Sequence, residues 1–168
     1  LGKVDWSREL MRKIYISARK DPRRIVFPEG NDHKIIWAAS EAVREGIAKP
    51  ILLSRNKEET LALFEELRHD SSGIEIIVPR HYPHRQEFIE AYHHLRERKG
   101  VTRISAENDL RNHFYFGAMM VQQGYADGMV AGSTVNYPEV LRPALRVVGT
   151  REGGKLVAGM YLIQYQHQ

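Results

Sequence analysis

Short apolar runs alternate with segments of helical period along most of this chain, and that alternation restricts its fold more than any other feature. Arg24-Ile25-Val26-Phe27-Pro28, Pro50-Ile51-Leu52-Leu53, Ile74 to Val78, Gly128-Met129-Val130-Ala131 and Leu156 to Tyr165 read as strands. Between them, Ile35, Ile36, Ala39, Ala42 and Val43 form one helical face, and Gly46 ends that helix. Further helices are expected over Lys57 to Leu67, Gln86 to Lys99 and Pro138 to Val148, with one or two more over Ser105 to Gln123. A lead-in helix over residues 5–19 carries Trp6, Leu10 and Ile14 at helical spacing and stops at Asp21-Pro22. Strands that are apolar on both sides need cover on both sides. The expected class is therefore α/β, a three-layer α/β/α arrangement around a mostly parallel sheet. Residues 1–22 read as lead-in helix and linker, and residues 23–168 as the α/β region.

A chain of 168 residues is long enough for one sizeable core. It has no cysteine, which excludes disulfides, thiolate chemistry and cysteine-ligated metal, and fits a reducing compartment such as the cytoplasm. The net charge of +4 is spread among interleaved acids. Only Arg23-Arg24 and Arg96-Glu97-Arg98-Lys99 are tight basic groups, so no basic stripe with interleaved aromatics points to nucleic acid. A few placed cations are still enough for a phosphorylated small molecule. No apolar run reaches membrane-span length, and Leu1 to Asp21 lacks the continuous apolar stretch of a secretory signal. The last strand is followed by no covering helix. The expectation is a region incomplete at its C-terminus, with a true edge strand as the alternative.

In open α/β sheets, ligands bind beyond the carboxyl ends of the strands. Two turns stand there. In Pro28-Glu29-Gly30-Asn31-Asp32, Asn31 or Asp32 can cap the next helix, and Glu29 is placed to contact a ligand. The plain alternative is a helix start only. In Gly132-Ser133-Thr134-Val135-Asn136-Tyr137-Pro138, Gly132 permits close approach, and Ser133 and Thr134 offer hydroxyls. Pro138 opens a helix whose N-terminus favours anions. Arg142, one turn on, adds a guanidinium fork suited to phosphate or carboxylate. No Gly-Lys-Ser/Thr follows, so this is not a complete P-loop, and an ordinary capped helix with a surface arginine fits the spacing equally. Arg96 shares a helical face with Tyr92, although helix-end cations also complement the dipole. His81, His84, His93 and His94 lack the spacing of a metal site and read as surface residues. Phe114, Tyr115, Phe116, Met119 and Met120 read as core.

Three blocks carry a family resemblance. They are Arg24 to Gly30, Tyr92 to Thr102 with Arg96 and Lys99-Gly100-Val101, and Phe116-Gly117-Ala118-Met119-Met120 running through Ala126 to Gly132 to Leu141-Arg142-Pro143-Ala144-Leu145. The chain resembles the phosphate acetyl/butyryl transferase family over nearly all of residues 10–165. Asn136-Tyr137-Pro138 and Val157 to Tyr161 further resemble the transferase-like region at the C-terminus of large bacterial malic enzymes.

The resemblance implies a two-domain, isocitrate dehydrogenase-like fold that forms homo-oligomers, of which this chain supplies about the first half. It implies phosphate or CoA contacts at Arg96 and Arg142, alongside the candidates Glu29, Ser133, Thr134 and Asn136. The family's late Ser-Arg pair and Asp base have no counterpart here, so no catalytic residue is expected in this chain. The first expectation is a regulatory, acetyl-CoA-binding and oligomerisation region of a decarboxylating malic enzyme. NADP and a divalent metal (Mg/Mn) would then belong to an upstream domain. The alternative is a phosphate acetyltransferase, converting acetyl-CoA and phosphate to acetyl phosphate and CoA.

Overall fold

The computed structural model describes residues 6–150. The elements run α1 (Trp6–Lys20), β1 (Arg23–Phe27), α2 (His33–Arg44), β2 (Ala48–Leu53), α3 (Lys57–Glu66), β3 (Glu75–Ile77), α4 (Arg85–Arg96), α5 (Arg103–Asp109), α6 (His113–Gln122), β4 (Gly128–Met129) and α7 (Tyr137–Val147). The strands form one parallel sheet in the order β3-β2-β1-β4. The register pairs Ile25 with Pro50 and, on the other edge of β1, with Gly128. Pro50 has no ladder donor to give. It lies one residue before the β2–β3 pairing, which starts at Ile51 opposite Glu75.

The apolar runs alternate across the sheet and make two cores. Val26, Ile51, Leu53 and Ile77 face Phe88, Ile89 and Tyr92 of α4, Phe116 and Met119 of α6, and Val147 of α7. Phe27 and Leu52 face Ile35, Ile36 and Ala39 of α2 and Phe64 of α3. Helices therefore cover both sides, as the strand composition requires. Of the expected aromatic core, Tyr115, Phe116, Met119 and Met120 are buried, whereas Phe114 is half-buried and lines a cleft instead.

Several boundaries differ for local reasons. The stretch over 105–123 is two helices, because Asn112 caps a new one by accepting the Phe114 N–H at 2.8 Å. The helix expected to Lys99 tightens into a 3-10 turn over Glu97–Lys99 and stops at Gly100, φ 81°. Strand β4 ends early, since the chain turns away through Gly132 at φ 107°. Helix α7 begins at Tyr137, which puts Pro138 second rather than first. The apolar stripe of α1 is only partly covered by the described residues: Ile14 and Tyr15 are 45% and 36% exposed. That helix is tied to the body by Arg19, which donates to the Glu45 carbonyl at 2.8 Å and pairs with its carboxylate. The strand expected over Leu156 to Tyr165 and the turn at 151–155 lie outside the described residues.

Gly30 is fixed by contact. A Cβ there would stand 2.5 Å from the Leu53 carbonyl oxygen, a backbone atom that already accepts the Gly30 N–H at 3.1 Å. Gly30→Ala is expected to cost about 1–3 kcal/mol, the range for overpacking a tight site. Urea unfolding of the two proteins checks it, and an unchanged midpoint would contradict the close approach.

Candidate functional site

The site grows from the carboxyl edge of the sheet. β1 leads through α2 to β2 on one side, whereas β4 lies on its other side and is reached from β3 through α4, α5 and α6. The gap between the ends of β1 and β4 is thus a switch point of the topology, where α/β sheets bind ligands. A cleft of about 580 Å³ opens there. Its lining includes Glu29 and Asn31, Arg55, Arg111, His113 and Thr134.

Both turns singled out in the sequence meet at this edge. Asp32 caps α2, accepting the N–H groups of Lys34 and Ile35 at 3.0 and 3.2 Å. Asn31 instead accepts from the buried Thr60 hydroxyl at 3.2 Å. Glu29 reaches across the gap. Its Oε2 accepts the N–H groups of Gly132 at 2.7 Å and Ser133 at 3.2 Å. Its Oε1 accepts the Thr134 N–H, and the Thr134 hydroxyl at 2.7 Å. A carboxylate has about four acceptor positions, and all four are used. Burial alone would raise the Glu29 pKa. The bonds from Thr134, Gly132 and Ser133 outweigh it and hold the carboxyl below its ordinary range. The loop donors expected to greet a ligand are therefore engaged by the protein's own carboxylate. Ser133 completes the seam, its hydroxyl donating to Asp32 at 3.3 Å. The Asn136 side chain makes no capping bond to α7.

His113, which the sequence pattern does not single out, donates from Nδ1 to the Pro28 carbonyl at 3.1 Å. Burial pushes its pKa down, and nearby Arg55 adds to that against the opposing effect of the Pro28 bond. The neutral ring with its proton on Nδ1 leaves Nε2 as an acceptor.

Arg96 and Arg142 lie elsewhere, and they lie together. One hollow of about 420 Å³ is lined by Arg96, Lys99, Arg142 and Arg146 with Pro138, Leu141 and Leu145. Among the described residues, four cations and no acid line it, so the field inside is positive. The Arg96 Nε is buried and has no hydrogen-bond partner among the described residues. A buried guanidinium donor without an acceptor is costly, which an incoming anion would relieve. Arg146 is held by a polar network: it donates to the Tyr115 hydroxyl at 3.1 Å and lies 3.7 Å from Asp109. Tyr92, fully buried, donates to the same carboxylate at 2.9 Å. Burial, and then the Asp109 bond and charge, push the Tyr92 hydroxyl far above its ordinary pKa. It stays a donor at every pH of interest. Lys99 and Arg146 were not singled out as site residues from sequence; the i, i+4 spacing of Arg146 from Arg142 was the available signal. The six candidates thus divide. Glu29, Ser133 and Thr134 form the seam, Arg96 and Arg142 the cationic hollow, and Asn136 the turn between them.

An open parallel sheet with helices on both faces defines an α/β protein, and its cationic hollow lies apart from the switch point, lined by α7 and the end of α4. The comparisons agree with the sequence blocks: residues 9–168 match the family Phosphate acetyl/butaryl transferase, and the chain belongs to it. It is 34% identical over 155 residues to the phosphate acetyltransferase of Thermoanaerobacterium thermosaccharolyticum, covering 92% of this chain and 46% of that protein. It is also 34% identical over 146 residues to the NADP-dependent malic enzyme of Salmonella typhimurium, covering 85% of this chain and 19% of that protein. Among solved structures, EutD phosphotransacetylase from Staphylococcus aureus superposes with a TM-score of 0.77 at 30% identity, over 87% of this chain and 44% of that one. The chain spans less than half the length of these transferase relatives.

These matches correct the first functional expectation. Asn136-Tyr137-Pro138 does not single out the malic-enzyme branch, since identity to the transferase is the same and extends over more of the chain. The solved neighbours include phosphotransacetylases. The reading as a malic-enzyme regulatory region is set aside, and with it the reason to expect NADP and a divalent metal upstream. Among the described residues, no helix is long and apolar enough to cross a membrane.

Proposed function

We propose that the protein transfers an acetyl group between CoA and phosphate, and that this chain contributes the cationic hollow that holds the phosphate-bearing reactant. The observation that supports this most directly is the pairing of Arg96 and Arg142. They stand far apart in sequence yet line one hollow that, among the described residues, holds no acid and offers the Arg96 Nε no acceptor. Family membership supplies the reaction type, and the positive hollow its anion.

In the forward direction a phosphate oxygen attacks the thioester carbonyl carbon. The new C–O bond forms as the C–S bond breaks, and the sulfur leaves as a thiolate that takes up a proton. Negative charge crowds at the phosphate and at the carbonyl oxygen in the transition state. Guanidinium groups fixed beforehand lower its energy without reorganising. Arg142 supplies the more exposed fork. Arg146, oriented by Tyr115 and Asp109, contributes charge with little freedom left to lose. Leu141 and Leu145 give the hollow apolar walls that strengthen these attractions. Among the described residues, none that lines the hollow is a carboxylate or a histidine, so proton transfer at sulfur is not assigned to them.

The test is to incubate the purified protein with acetyl-CoA and inorganic phosphate, following free thiol and acetyl phosphate together. Equal release of both is expected. Failure to form either product contradicts the proposal.

A further inference from the structure

The seam between Glu29 and the Gly132–Thr134 loop lies outside the hollow, and neither the family match nor the hollow accounts for it. Three successive N–H groups pointing at one place make an anion-binding concavity. Here the anion is internal: Glu29 fills it with both oxygens and takes the Thr134 hydroxyl as well. The loop has little else to hold it. Gly132, Ser133 and Thr134 are exposed, Gly132 sits at φ 107°, and among the described residues the one further bond is from Ser133 to Asp32, on the same β1–α2 turn as Glu29.

The consequence is carried into α7. Its buried residues are Pro143 and Val147, in its second half. Its first turn is exposed at Tyr137, Pro138 and Glu139, and the Asn136 side chain adds no cap. The direction in which α7 starts is therefore set by the loop before it. Arg142 stands at the boundary between that unanchored turn and the anchored half, and faces Arg96 across the hollow.

We infer that Glu29 is a positioning residue: by clamping the Gly132–Thr134 loop across the switch point, its carboxylate aims the start of α7 and so sets where Arg142 meets the anion shared with Arg96. The inference rests on reading the hollow as the phosphate site.

The experiment compares the wild-type protein with Glu29→Gln, Glu29→Ala and Arg142→Ala. It measures inorganic phosphate affinity by calorimetry, KM and kcat for acetyl transfer, and the thermal midpoint. Glu29→Gln keeps the size but turns an amide toward the loop donors. Both Glu29 variants are expected to weaken phosphate binding and raise its KM by about tenfold, with kcat within about threefold of wild type. Added formate, which fits the vacated concavity, should restore part of the affinity of Glu29→Ala and none of that of Arg142→Ala. A purely structural role would show as a lower thermal midpoint without rescue by formate, and that result overturns the inference. So does wild-type phosphate affinity in both Glu29 variants while Arg142→Ala is impaired, which leaves the hollow standing as the phosphate site. Tighter phosphate binding in Glu29→Ala, or a second equivalent bound, also overturns it, because the concavity would then be a ligand site that Glu29 closes. If the wild-type protein binds no phosphate, or Arg142→Ala binds it equally well, the reading of the hollow falls and the positioning role falls with it.

Discussion

Arg142→Ala is expected to lower kcat/KM for phosphate by roughly a hundredfold, about the effect of removing one preorganised donor from a transition-state anion site. The loss should fall mainly on the phosphate term, because the side chain lines the hollow with Arg96 and Lys99 and is exposed rather than part of the core. Arg142→Lys should recover only part of it. A lysine keeps the charge but loses the planar fork that grips two oxygens at once. Folding serves as the control: Arg142 is exposed, so the alanine variant should unfold at the wild-type urea midpoint. Initial rates over a range of phosphate at saturating acetyl-CoA measure the effect. Wild-type kinetics would remove Arg142 from the site.

The largest expected loss of stability is at Phe116. Its side chain is fully buried, with ring centroids 5.3 Å from Phe88 and 5.6 Å from Tyr82, the second pair edge-on at 86°. It sits in the middle of α6, next to Gly117, whose Cα packs so closely that a Cβ would lie 3.1 Å from the Met129 sulfur and 3.3 Å from Pro28. That closeness leaves the surroundings little room to collapse into a void. Phe116→Ala is therefore expected to cost about 3–5 kcal/mol, the range for a phenylalanine deleted from a packed core. Phe116→Leu should cost much less. Since α6 packs on α7, the alanine variant should also lose phosphate affinity at temperatures where it is still folded. Urea titrations followed by far-ultraviolet circular dichroism give the stability difference. A cost below about 1 kcal/mol would mean that the aromatic cluster is not the close-packed core described.

How far the sequence spoke depended on how local each feature is. β1 and β2 were legible because Val26-Phe27 and Ile51-Leu52-Leu53 feed two cores at once, and a run without polar interruption says so. The cap at Asp32 and the stop at Gly100 were legible because each is decided by a single residue within one turn of the helix it ends. The role of Glu29 was not. Its partners are more than a hundred positions away, and they come near only because β4 pairs with β1. From sequence, a carboxylate beside a glycine turn looks free to meet a ligand. The same holds for Arg146, whose anchoring to Tyr115 and Asp109 exists only once α6 and α7 have packed. Arg96 and Arg142 were named from motifs, but their meeting in one hollow depends on α4 and α7 lying side by side. The stripe on α1 shows the opposite limit. Helical spacing of Ile14 with its neighbours establishes an apolar face, and spacing cannot say what covers it.

If Arg96 and Arg142 together hold one phosphate, their contributions to its binding must be coupled. Calorimetric titration of inorganic phosphate into the wild-type protein and into the Arg96→Ala, Arg142→Ala and doubly substituted variants tests this most directly. One saturable phosphate per chain is expected, weakened in each single variant and absent in the double one. Because both arginines grip the same anion, the second substitution should cost less than the first. Phosphate bound by the double variant with wild-type affinity would contradict the shared site.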